Sequence, residues 1–162
     1  MAMLDDLPIM PVRSVLFPRA PATLYVHEER YRRMLDQQME NESGVFGLAL
    51  LRAGNEVRGV GVPHDVGTIA HIVAVTKLPD HSCLVLARGG QRFRIRRITS
   101  LRPVVMAEVE FLTDEALTPT DARLAAEARA QLKQLLDFVI QNLQAEGLEV
   151  ELPEDPEIIS WA

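Results

Sequence analysis

Near residue 113 the spacing of apolar residues changes from alternation to steps of three and four, and that switch constrains the fold more than any other feature of the chain. Past it, Thr118-Pro119-Thr120-Asp121 supplies a capping hydroxyl, a proline at the first helical position and an acid in the first turn. Leu124, Ala128, Leu132, Leu135, Leu136, Val139, Ile140 and Leu143 then recur at helical steps until Gly147 ends the pattern. At 1.5 Å per residue this helix is roughly 40 Å long, more than a small barrel is wide, so it calls for a second packing partner. Asp155-Pro156-Glu157 opens another helix by the same capping logic, with Ile158, Ile159 and Trp161 starting an apolar face. One and a half turns make little use of a cap, so the native polypeptide is expected to continue past Ala162.

Ahead of the switch, proline and glycine divide the chain into short strands. Pro8, Pro11 and Pro18 forbid a helix in 7–18 and suit an edge or entry strand. A second strand spans 22–27. The one helix here covers 28–42, with Tyr31, Met34, Leu35 and Met39 at helical spacing. Further strands are expected at 45–51, 68–78, 83–87, 91–100 and 104–112, with turns at 52–56, 79–82 and Gly89-Gly90. Residues 57–67 read as a glycine-rich loop of unusual apolarity. The expectation is an α+β fold: a small β-barrel of about six strands with one inserted helix over residues 1–115, then a helical extension over 116–162.

At 162 residues and 48% hydrophobic content the chain can bury a core. Its charge, 17 basic against 23 acidic residues or −6, disfavours nucleic acid, whose phosphates need a basic surplus. No apolar run reaches the roughly 20 residues that span a bilayer, and the start carries acids where a secretory signal carries bases. The single Cys83 excludes an intrachain disulfide and fits a reducing compartment, so a cytoplasmic location with no membrane partner is expected.

Motifs for chemistry are missing. There is no phosphate loop, dinucleotide turn, HExxH or nucleophile elbow, and Gly59-Val60-Gly61 is followed by Pro63 where a nucleotide-binding helix would begin. His81-Ser82-Cys83 offers too few ligands for a metal, and His71, between Ile69 and Val73, reads as a barrel histidine. No catalytic, cofactor or metal residues are assigned. Arg92, Arg94 and Arg96 form a cationic stripe that either meets phosphate or acidic peptide, or faces Glu108 and Glu110 across an antiparallel pair; the cross-strand reading is favoured.

In order along the chain, LPIMPVRSVLFP, LYVHEERYRRML, FGLAL, DVGTIAHI, LPD and GGQRFRI resemble the N-terminal substrate-recognition domain of the Lon protease family, over about Leu7 to Phe111. The resemblance implies a PUA-like pseudo-barrel, the fold of an RNA-binding family, followed by helices. It also implies a non-catalytic role, since neither an ATPase domain nor the protease's serine-lysine dyad is in the chain, which would be a stand-alone protein of this domain or a fragment of Lon. Arg19-Ala20 stands where the family usually has a glycine turn, and Glu29 replaces a common proline.

The expected function is recognition of unfolded or hydrophobic polypeptide segments, in company with proteolytic machinery. Val57, Val60, Val62 and Pro63 are the candidate peptide contacts, being apolar residues on glycine-rich backbone with no periodic pattern to bury them. The same valines could instead fold back as a barrel plug. RNA binding, on fold analogy alone, and a small-molecule pocket between barrel and helices are the alternatives. The sequence does not specify an oligomeric state.

Overall fold

In a computed structural model describing residues 2–55, 59–115, 118–142 and 152, the chain divides into two units, Met1–Thr113 and Asp114–Ala162. The first holds β1 (Met3–Val12), β2 (Pro21–Val26), α1 (Glu29–Glu40), β3 (Val45–Ala53), β4 (Val62–Lys77), β5 (Cys83–Ser100) and β6 (Val105–Phe111). The second holds α2 (Pro119–Asn142).

The six strands form one mixed sheet in the order β2-β5-β4-β3-β1-β6, closed by a further pairing of β5 with β6. Closure depends on the length of β5. Residues 83–88 pair with β2, and residues 93–100 pair with β6. One end is therefore a closed ring of β5, β4, β3, β1 and β6, filled by Leu7, Ile9, Ile69, Phe93, Ala107 and Val109. At the other end β2 is a free edge, and α1 caps the opening with Tyr31, Met34 and Leu35 over Val26, Phe46 and Val85. Met39, expected on the same face, is half exposed.

Three sequence expectations change. Residues 7–18 are not an edge: β1 begins at Met3, pairs in parallel with β3 and antiparallel with β6. Pro11 lies past Ile9, the last residue paired with β6, so its missing N–H breaks no ladder bond on that side. The apolar loop is shorter than read, since β4 starts at Val62. Gly89-Gly90 is not a turn either, because β5 runs through both. A Cβ at Gly89 would collide with the Phe17 carbonyl oxygen and one at Gly90 with the His71 ring, so these glycines admit close neighbours in a long bent strand.

The α2 start is a reciprocal box: the Asp121 N–H donates to Thr118 Oγ1 (3.3 Å), and the Thr118 N–H and hydroxyl donate to Asp121 Oδ2 (2.9 and 2.6 Å). The hydroxyl bond from Thr118 holds the Asp121 carboxyl below its usual range. Within this unit Arg129 donates to the Leu152 carbonyl at 2.7 Å. The stop at Gly147 and the second helix at Asp155 lie outside the described residues.

Candidate functional site

The first unit carries an open cleft of about 620 Å³ between the start of α1 and two loops, lined by Glu28, Arg30, Gly59, Val60, Arg102 and Pro103. Arg30 builds it. Its Nε donates to Glu28 Oε2 at 2.9 Å, its Nη1 to the Gly59 carbonyl at 2.6 Å, and its guanidinium lies 4.6 Å from the centre of the Tyr31 ring. A single side chain thereby ties the helix start to the backbone that carries Val60.

The four candidate peptide residues do not share one environment. Val60 is half buried in the cleft wall. Val62 opens β4 and is half buried, and Pro63 is buried opposite Leu51. Val57 lies outside the described residues.

Beyond Glu28 the surface continues into a narrow slot of about 60 Å³ lined by Met10, Pro11, Val12, Tyr25, Val26 and His27, with Glu28 shared between slot and cleft. Tyr25 then leads onto the outer face of the sheet. Pairing places Tyr25 beside Leu84 and Thr76 in one row, and Thr23 beside Leu86 and Ala74 in the next. Tyr25, Leu84 and Leu86 are 56%, 38% and 40% exposed, and Val73, pushed outward at the bulge between Ile72 and Ala74, is 59% exposed. Tyr25 is held in place, stacked on His27 at 5.8 Å and donating to Asp80 Oδ2 at 2.9 Å. Hydrogen bonds, first from Ser82 and then from Tyr25, hold the Asp80 carboxyl below its ordinary range. The sequence carries a signal for this face: in Cys83-Leu84-Val85-Leu86-Ala87 both alternating sets are apolar, and only one can point inward.

The arginine stripe meets the two acids of β6 in part, as the cross-strand reading expects. Arg96 pairs with the buried Glu110 and Arg97 with Glu108, because the ladder shifts register between Ile95 and Arg97. Arg94 faces Glu110 in register without an ion pair between them. His71 is exposed on the outer face and is not a barrel histidine. His81 is exposed while Ser82 and Cys83 are buried, and burial pushes the Cys83 thiol up. Among the described residues no cluster of three metal-ligating side chains occurs, and no helix is long and apolar enough to cross a membrane.

A family model for the ATP-dependent protease La (LON) substrate-binding domain matches residues 6–161. The chain belongs to this family. The Lon protease of Erwinia amylovora is 31% identical over 109 residues, which are 67% of this chain and 14% of that protein. The Lon protease of Parabacteroides distasonis is 27% identical over 152 residues, 93% of this chain and 18% of that one. The chain thus spans less than a fifth of these relatives. Among solved structures, the Lon N-terminal domain protein from Xanthomonas campestris superposes with a TM-score of 0.65 at 28% identity, covering 98% of this chain and 96% of that one. The N-terminal domain of a Mycobacterium avium complex Lon protease gives a TM-score of 0.61 at 22% identity, over 86% and 70% of the two chains, and shares the fold. This Lon substrate-binding domain corresponds to the non-catalytic part of the protease. Arg19, at the place of the family's glycine turn, takes the left-handed backbone itself, with φ 65°, and its N–H donates to the Gly89 carbonyl at 2.8 Å.

Proposed function

We propose that this chain recognises polypeptide: it binds exposed apolar segments of unfolded or degron-bearing clients, in the cytoplasm, on behalf of an ATP-dependent protease. The observation that carries the reading is the apolar outer face of β2, β5 and β4. Leaving large apolar side chains in water forgoes about 1.5 kcal/mol or more each relative to full burial, and here three of them, Leu84, Leu86 and Val73, lie on the face that carries Tyr25. Membership of a substrate-binding family supports a polypeptide as the ligand. Val60 extends the contact into the cleft, while Val62 and Pro63 shape the backbone that presents it.

The test is capture of casein on the immobilised domain. Changing Leu84 and Leu86 together to Ser should weaken capture about tenfold; both side chains are more than half covered, so the melting temperature falls as well and capture is read well below the variant's midpoint. Val60→Ser should weaken it less. Undiminished capture by the Leu84/Leu86 variant would overturn the reading.

A further inference from the structure

The edge of β2 is open, and its hydrogen-bonding phase can be worked out from the bonds at either end of β5. In an antiparallel sheet, a residue's N–H and C=O point to the same neighbouring strand, and successive residues alternate between the two sides. The Leu78 N–H donates to the Ser82 carbonyl at 2.9 Å, which sets the β4 side of the ladder. Stepping by two along β5, Leu84 and Leu86 turn their backbone groups to Thr76 and Ala74 on β4. Cys83, Val85 and Ala87 therefore turn theirs to β2. An independent bond agrees: the Gly89 N–H, one further step of two, donates to the Ala20 carbonyl at 2.8 Å.

Ala22, Leu24 and Val26, the residues opposite Ala87, Val85 and Cys83, use their backbone groups on β5. The N–H and C=O of Thr23 and of Tyr25 consequently point away from the sheet, together with the Pro21 carbonyl. None of these groups has another partner among the described residues. Exposed edges are commonly protected by charge, proline or a bulge, because they otherwise pair with any extended chain. Here the strand reads PATLYV, with no charge at all and its only proline at the first position.

We infer that β2 takes on an extended client segment as an added strand, main chain to main chain, with Thr23 and Tyr25 supplying two donors and two acceptors. This rests on the polypeptide-recognition reading and specifies how the client is held. Side chains on one face of the added strand continue the Tyr25 and Leu84 rows, and those on the other face turn toward the slot bounded by Met10, Pro11 and Val12, which has room for only a small apolar group. Backbone bonds ignore sequence, while alternate small or apolar side chains set a loose preference, and that combination suits a binder of many clients.

The probe is a fluorescent peptide of about ten residues alternating Val and Thr, long enough to pair along the whole of β2. Its binding is followed by anisotropy with the full chain. N-methylation at every second residue in one phase should abolish binding, while methylation in the other phase should leave it within about twofold, because only one set of N–H groups can face β2. In the protein, Thr23→Pro removes an outward N–H without touching the ladder to β5 and should weaken binding about tenfold. Equal sensitivity to both methylation phases, or equal tolerance of both, would overturn the inference without any protein variant having to fold. Casein capture lost in Leu84→Ser/Leu86→Ser but unchanged in Thr23→Pro would sink strand addition and leave polypeptide recognition standing; failure of the unmodified domain to capture casein would sink both. A dimer of the free domain that Thr23→Pro dissociates would show that the edge serves a second copy and not a client.

Discussion

Gly47 and Gly67 should respond differently to the same added methyl group, and the difference can be worked out from what surrounds them. Both flank the Phe93 ring, which is 0% exposed in the closed end of the barrel. A Cβ on Gly47 would lie 2.5 Å from Ile9 Cδ1, 2.8 Å from Phe93 Cζ and 3.1 Å from Leu7 Cδ2, all of them side-chain ends. A Cβ on Gly67 would lie 2.5 Å from Phe93 Cζ but also 2.5 Å from the Leu48 carbonyl oxygen, which belongs to the β3 backbone. Overpacking of this kind costs about 1–3 kcal/mol, and Gly67→Ala should sit at the upper end because a backbone oxygen cannot step aside alone. Phe93→Leu withdraws the ring tip and should cost roughly 1–2 kcal/mol by itself. Combined with Gly47→Ala it should be less destabilising than the sum by about 1 kcal/mol or more, whereas with Gly67→Ala the rescue should be much smaller. Urea unfolding of the five variants, read as midpoints at unchanged slope, gives both cycles. Gly47→Ala lying within about 0.5 kcal/mol of the parent, or equal rescue at both glycines, would refute the argument that ring and backbone divide the space this way.

Two other predictions follow from the polar groups. Hydrogen bonding to Arg97 holds the Glu108 carboxyl below its ordinary value of 4.5, so its share of stability is present above that pH and is lost as pH falls through the lower folded value. NMR titration should show this depression, Arg97→Ala should abolish it, and a parent midpoint at or above 4.5 would contradict the pairing. Arg96→Ala should destabilise more than Glu110→Gln, because the first leaves a buried carboxylate without its partner while the second frees a half-exposed guanidinium that water can solvate. Equal or reversed losses in thermal unfolding would show that Glu110 does not depend on Arg96.

The family was legible chiefly through the order of short motifs, while the cleft and the outer face of the sheet join residues that no single motif holds. Of the apolar residues on glycine-rich backbone, Val60 lines the cleft wall, Val62 opens a strand and Pro63 is buried. Glycines that look like turn formers in a linear reading, Gly67 and Gly89 among them, lie inside strands where a backbone or a ring approaches. Glycine signals a missing side chain, and the chain alone does not say whether the space is used by a turn or by a neighbour.

Local chemistry in the sequence was enough for what depends on neighbours in the chain: the helix read over 28–42 from its apolar spacing and found over 29–40, the Thr118 box that starts α2, and the switch from strands to helix near residue 113. Tertiary structure alone decided which strands meet. The parallel pairing of β1 with β3, the joining of residues 83–100 into one strand shared between β2 and β6, the register shift that gives Arg97 to Glu108, and the backbone groups left open along β2 all depend on residues far apart in the chain. A strand's own residues dictate that its side chains alternate, but hydrogen bonds across a sheet are made by backbone common to every residue, so their partners are chosen by how the whole barrel closes.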